Sequence, residues 1–365
     1  MNRRTFVKAA SASALSTRIV WPARIEALSR PKRILVLGGT NFVGPAVVEA
    51  ALLAGHEVTL FNRGITNSGL FPYLEKLRGF RSSELANQNL AALAGRKWDA
   101  VIDVWPWEPD VVQFAAETMK DRTDHYLYVS SIAAYDPSAF ATAGTNEDAP
   151  LVQQNSNNRV YSKGKAESER RLAQLLGDRV TIVRPTAITG FRDDGTVSLH
   201  SWLIRAQVGG KHIGPGDGSD PVQFVDVKDV AAFLIEAIDS RRFGTFNLGR
   251  RTTPFREFLE SCRSATDSDA QFVWIPRDFI TKCGLQQADF PYWPRETRKG
   301  ASQISVQKAL GTGWMTRPFQ ETANDTLLWF HELRAAAASD EYMRTDHLPP
   351  DQEAEVIRLW SEQHS

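Results

Sequence analysis

From residue 32 to residue 248 the chain alternates short, unbroken apolar runs with longer stretches in which apolar positions return at the helical repeat. Residues 33–37 read as a buried strand, 43–53 as a helix and 57–61 as a second strand, which together make one βαβ unit. Residues 99–104 and 125–130 read as further strands around a helix at 110–119, and the strand at 179–184 follows a helix that begins near Tyr161. Short buried strands with interposed helices predict an α/β protein with a parallel, doubly wound sheet. After Pro185 the rhythm breaks into loops rich in Gly, Asp and Ser, returns at 222–225, 227–238 and 245–248, and then becomes irregular. One domain is therefore expected over 31–185, with returning segments near 222–249, and a smaller C-terminal lobe over most of 186–365. Near the end, residues 351–360 place Ala354, Ile357 and Trp360 at a helical repeat, the pattern of a helix packed on the body.

Composition and charge narrow the partners more than the fold. Lysine plus arginine (43) balance aspartate plus glutamate (43), so no positive field is available to attract nucleic acid or an anionic membrane. Cys262 and Cys283 lack metal-ligand spacing and are expected as free thiols, with no metal site. Arg3, Arg4, Thr5, Phe6, Val7 and Lys8 resemble a twin-arginine export signal, followed by a mildly apolar run at 9–16 that is too short to span a bilayer. Residues 1–30 are expected to be a leader that directs the protein to the periplasm. Without that signal the protein would be cytoplasmic. No stable membrane insertion is expected, and a homodimer is compatible with the sequence.

The chemistry begins between the first strand and the first helix, where Gly38, Gly39, Thr40, Asn41, Phe42, Val43 and Gly44 follow one another. A helix N-terminus presents unpaired backbone N–H groups, and positions without side chains let a pyrophosphate come close. A second signal is Tyr161 four residues before Lys165, a spacing that puts both side chains on one helix face. A free phenol titrates near ~10, and an adjacent ammonium would favour the phenolate. The strand at 125–130 also ends in Ser130 and Ser131.

Together these features resemble the extended short-chain dehydrogenase/reductases, in particular the NAD-dependent epimerase/dehydratase family, over approximately residues 33–330. The resemblance implies a Rossmann-type fold that binds NAD or NADP, with a substrate lobe behind it. Ser131 would polarise the reacting oxygen, Tyr161 would act as general acid/base, and Lys165 would tune Tyr161 and hold the nicotinamide ribose. Cofactor contacts are expected from Gly38, Gly39, Asn41, Phe42, Val43, Gly44, Asn62, Arg63, Tyr161 and Lys165.

Departures from the family pattern carry information of their own. Asn41 replaces the middle glycine, and its tolerance of left-handed backbone angles would keep the turn. Asn62 and Arg63 stand where an acidic residue would favour NAD, so NADP is favoured. Gly79, Phe80 and Arg81 stand where relatives often carry an adenine-contacting aspartate, and Phe80 could stack there instead. Val222 replaces the arginine that grips the diphosphate of nucleotide sugars. The expected activity is an oxidoreductase or epimerase acting at a hydroxyl or carbonyl carbon of a small sugar-like, polyol or ketone substrate. The alternatives are a plain NADP-dependent reductase or dehydrogenase, and a nucleotide- or RNA-binding protein with an idle site.

Overall fold

The computed structural model describes residues 30–82, 90–193, 199–336 and 348–364. The leader-like residues 1–29 lie outside them. Seven parallel strands form the main sheet: β1 (Arg33–Leu37), β2 (Glu57–Asn62), β3 (Glu75–Arg78), β4 (Trp98–Asp103), β5 (Thr123–Val129), β6 (Val180–Pro185) and, arriving late in the chain, β11 (Gly244–Leu248). Their spatial order is β3-β2-β1-β4-β5-β6-β11, with β1 paired to β2 on one side and to β4 on the other. The strand order reverses between β1 and β4, the place where open α/β sheets form their ligand crevice.

The apolar runs are continuous because both faces of the sheet are covered. Ile34, Val36, Leu60, Ile102 and Leu127 point into one core with α1 (Val43–Leu53) and α5 (Val227–Asp239). Their neighbours Leu35, Leu37, Phe61, Val101 and Tyr126 point into the other with α2 (Pro109–Met119) and α3 (Val160–Leu176). Each fully buried side chain of this kind contributes about 1.5–3 kcal/mol. β3 was not legible as a strand: its sequence, Glu-Lys-Leu-Arg, is that of a half-exposed sheet edge defended by charge.

The C-terminal lobe has its own core around Trp202, Phe224, Phe255, Phe258, Phe290 and Trp293. It is built from α4 (Leu199–Val208), α6 (Phe255–Ala265), α7 (Phe319–Ala336) and α8 (Pro350–Gln363), with β8 (Lys211–Pro215) paired to β13 (Gln271–Ile275). The single strand expected at 222–225 is two. β9 (Pro221–Val222) pairs with β12 (Thr253–Pro254), while β10 (Phe224–Asp226) pairs with β7 (Ala187–Thr189). Gln223 makes the break: its buried amide donates to the carbonyls of Arg250 and Ile304 and accepts from the Ile304 N–H.

In α8 the buried face is Glu353, Val356 and Ile357, with Trp360 against Phe279, and Ala354 points to solvent. A carboxylate displaces the expected alanine because Glu353 accepts from the Ile213 N–H at 2.8 Å and lies 3.2 Å from His212 Nδ1. Ion pairs join the lobe to the sheet. Arg317 reaches Asp325 at 2.6 Å and Asp226, the N-cap of α5, at 3.3 Å, and Arg192 reaches Glu49 of α1 at 2.7 Å. Cys262 and Cys283 are free thiols.

Candidate active site

At the carboxyl ends of β1, β2 and β4 lies a cleft of about 400 Å³, lined by Gly38, Gly39, Asn41, Phe42, Val43, Asn62 and Arg63 among others. Gly38 and Gly39 take positive φ angles. Gly44 is required by close approach: a Cβ there would lie 2.6 Å from Gly39 Cα. The left-handed position expected at Asn41 falls one residue later, on Phe42 with φ 38°, because the chain reverses directly before α1. Asn41 is exposed at the cleft, and its amide makes no hydrogen bond among the described residues. The first turn of α1 holds no acidic residue, and no side chain caps it. Within this turn Gly44 N donates to Asn41 O at 2.9 Å and Pro45 carries no N–H, so an anionic ligand would meet the remaining N–H groups of the turn. This turn fits a dinucleotide pyrophosphate.

At the end of β2 the Asn62 amide is engaged by the protein itself. It donates to Gly38 O at 3.3 Å and accepts from Gly64 N at 2.9 Å and Arg78 Nη1 at 2.6 Å. Arg63 is exposed, forms no ion pair among the described residues and lines the cleft, whose lining contains no aspartate or glutamate. Phe80 is exposed and does not line the cleft. Arg81 enters in its place. Burial of its guanidinium is compensated by a bidentate pair with Asp103 at 2.6 and 2.7 Å, and Trp105 lies 4.8 Å beneath it. Asp103 also accepts from Tyr126 Oη at 2.7 Å and from Trp105 N at 2.9 Å. Nothing in the local pattern announced this pair, since Asp103 closes an apolar run like any strand-end residue.

Tyr161 and Lys165 lie one turn apart near the start of α3. Lys165 is buried; its ammonium donates to Val129 O at 2.5 Å and Trp105 O at 3.0 Å, and lies 4.5 Å from the Tyr128 ring and 5.9 Å from the Tyr161 ring. Burial lowers its pKa to about 7, against the pull of Asp103 and Glu169. Burial also raises the Tyr161 phenol above its ordinary value, with the Ser131 hydroxyl as the opposing hydrogen-bond partner. The expected lowering of Tyr161 by Lys165 is not found: two of the three ammonium N–H bonds go to carbonyls, and desolvation around the phenol raises Tyr161 although its side chain is 38% exposed. Ser131 caps the short 3-10 turn Ile132–Ala134 by accepting from Ala133 N at 3.1 Å, which fixes it at the end of β5 beside Tyr161.

Val222 is buried in the core of the lobe, so the place of the diphosphate-gripping arginine is apolar in the fold as well as in the sequence. Among the described residues no cluster of His, Cys, Asp and Glu could hold a metal ion, and no helix is long and apolar enough to cross a membrane.

Comparison with known proteins agrees with this geometry, since the model of the NAD dependent epimerase/dehydratase family matches residues 34–249. The chain belongs to the NAD dependent epimerase/dehydratase family. The matched segment runs from β1 through β11 and so contains the whole parallel sheet, the glycine turn and the Tyr161–Lys165 helix. Among curated relatives, the chloroplast stem-loop binding protein of 41 kDa b from Arabidopsis thaliana is 27% identical over 257 residues, 65% of this chain and 64% of that protein. A 2'-dehydrokanamycin reductase from Streptomyces kanamyceticus is 27% identical over 269 residues, 71% of this chain and 73% of that one. The Bordetella bronchiseptica enzyme WbmG, solved with NAD and UDP, shares the fold of the family with a TM-score of 0.62 at 17% identity, over 83% of this chain and 96% of that one.

Proposed function

We propose that this member of the epimerase/dehydratase family is an NADP-dependent oxidoreductase or epimerase, acting at a hydroxyl or carbonyl carbon of a small sugar-like or polyol substrate that carries no nucleotide. The observation that carries the reading is the convergence of Tyr161, Ser131 and buried Lys165 beside a glycine turn that leads into an uncapped helix N-terminus. In this reading the backbone N–H groups at the start of α1 hold the pyrophosphate, and Lys165 donates to the nicotinamide ribose. Ser131 holds the substrate oxygen, and Tyr161 gives it a proton or takes one from it. The nicotinamide supplies or accepts the hydride. The reading is tested by mass spectrometry of the nucleotide released on denaturing the purified protein, together with a nicotinamide absorbance assay over a panel of sugars, polyols and ketones. Release of no dinucleotide, with no turnover of any panel member, would reject it.

NADP is favoured over NAD because Arg63, unpaired among the described residues, lines a cleft whose lining holds no aspartate or glutamate. Arg63→Glu is expected to weaken NADP binding by about tenfold or more and to leave NAD within about threefold, since hydrogen bonds to charged groups are worth roughly 1.5–3 kcal/mol. Fluorescence titration of the two cofactors decides this, and equal losses for both would assign Arg63 no role in the choice.

The 2'-dehydrokanamycin reductase supports plain reduction as one form of this chemistry. The stem-loop binding relative favours RNA binding as the second reading, against which stands the balance of 43 basic and 43 acidic residues.

Export through the twin-arginine route is part of the same proposal, supported by Arg3 and Arg4 in the sequence. A compartment without fresh nicotinamide cofactor would require one that is tightly held and restored in each cycle. Replacing Arg3 and Arg4 with lysine is expected to leave the protein in the cytoplasm, as read by cell fractionation, and dialysed wild type should work without added cofactor. A wild type that stays cytoplasmic and needs stoichiometric added cofactor would refute both halves.

A further inference from the structure

After β4 the chain reads Trp105, Pro106, Trp107, and the two tryptophans are used in opposite ways. Trp105 is locked on every side. Its N–H donates to Asp103, its indole N–H donates to Glu108 at 3.1 Å, its carbonyl accepts from Lys165, and the Arg81 guanidinium covers its ring. Two residues on, Trp107 is 43% exposed, and its indole N–H makes no hydrogen bond among the described residues. An exposed indole held by a rigid backbone is uncommon, because a free tryptophan usually buries its face.

The backbone is held from below as well as from behind. Gly164, between Tyr161 and Lys165 on α3, is so close that a Cβ there would lie 2.0 Å from Trp107 O. That contact fixes the loop on the helix that carries Tyr161. The Trp107 and Tyr161 rings meet edge to face, with centroids 6.2 Å apart at 64°, and Tyr161 is itself 38% exposed. Trp105 and Pro106 line the cofactor cleft, and Trp107, next in the chain, lies outside that lining and against Tyr161.

We propose that Trp107 is the substrate platform, a specificity-determining residue whose indole face stacks on the apolar face of an uncharged pyranose ring and so presents a ring hydroxyl or ketone to Tyr161. This rests on the reading of Tyr161 as the acid/base and narrows its substrate class. A saturated sugar ring has one face of C–H bonds and a rim of hydroxyls. The face suits the negative surface of an indole, and the rim suits the free indole N–H, the Ser131 hydroxyl and Tyr161. Val222 is buried and apolar, so the site offers no guanidinium there for a nucleotide diphosphate to use as its anchor. The indole face supplies the anchor in its stead.

Calorimetry of the full-length chain with added NADP, titrated with methyl glucoside, methyl galactoside, methyl mannoside and, for contrast, UMP, tests the assignment. At least one methyl pyranoside is expected to bind saturably and UMP more weakly. Trp107→Ala should weaken that pyranoside by about tenfold, and Trp107→Phe, which keeps an aromatic face, by no more than about threefold. Tyr161→Phe, which keeps the ring and removes one hydrogen bond to the sugar rim, should weaken pyranoside binding by only about threefold while removing turnover, which separates the two readings. If Trp107→Ala binds the pyranosides as the wild type does, the platform is wrong even where Tyr161→Phe is inactive. If pyranosides bind through Trp107 and Tyr161→Phe still turns over, the acid/base reading fails and the platform stands. Failure of every pyranoside to bind, or tighter binding of UMP, overturns the proposal outright.

Discussion

Tyr161→Phe is expected to lower turnover by about two to four orders of magnitude while cofactor affinity stays within about twofold, because general acid–base catalysis contributes on that scale and the substitution removes only the proton-transferring oxygen. The aromatic ring that packs on Trp107 is retained, and Lys165 keeps both of its carbonyl partners. Burial raises the phenol above its ordinary value, so the side chain is protonated at neutral pH and is set as an acid for a carbonyl substrate. Reduction should therefore change around pH 7, where Lys165 loses its proton, and fall further as pH rises through the raised Tyr161 value. The reverse oxidation needs the deprotonated form and should climb over that same alkaline range. Initial rates in both directions across pH, for wild type and variant, measure this. Retention of more than about a tenth of wild-type turnover by Tyr161→Phe would remove Tyr161 from the role.

The second large effect is on stability. Glu169 and Arg184 form a buried pair at 2.6 Å behind the site, with the Ser130 hydroxyl donating to Glu169 and Arg184 Nη1 donating to Glu147 O at 3.0 Å. The Arg184 guanidinium lies 4.6 Å over the Tyr135 ring, and Tyr135 Oη donates to Asn247 of β11 at 2.7 Å. This network ties α3, which carries Tyr161 and Lys165, to β6, to the end of β5 and to the edge strand β11 on one side of the sheet. Removing one partner leaves an uncompensated buried charge, so Glu169→Ala should cost about 3–5 kcal/mol. That is a large share of the roughly 5–15 kcal/mol by which a domain is stable. The fall should appear as a lower urea midpoint and, because α3 loses its tie, as lower turnover at temperatures where the variant is still folded. Replacing both partners with apolar side chains, Glu169→Leu with Arg184→Met, should recover much of the loss. A shift of less than about 1 kcal/mol for Glu169→Ala would mean that water reaches Arg184 and that the pair is not a structural tie.

What the sequence by itself determined is what local spacing encodes. Strands covered on both faces are apolar along most of their length, which is why β1, β2, β4, β5 and β6 and the parallel sheet were legible within a residue or two of their ends. The glycine turn before α1 and the one-turn separation of Tyr161 and Lys165 are equally local, set by backbone geometry within a few residues.

Tertiary structure alone decided the partners, because charge and desolvation depend on groups that are distant in the chain. Lys165 is held by the carbonyl of Trp105, 60 residues earlier, and Arg81 finds Asp103 across 22 residues. The phenol of Tyr161 is therefore governed by burial, and the spacing that put Lys165 on its face could not foretell this. The same holds for the buried face of α8, where a carboxylate is inside because His212 and the Ile213 N–H wait for it, and for the left-handed angle that passes from Asn41 to Phe42. Trp107 is the sharpest case: as a residue in a loop it carries no signal, and only the approach of Gly164 on α3 sets its indole against Tyr161. Periodicity records whether a position is buried, and the identity of the neighbour that buries it is fixed only when the strands and helices take their order in space.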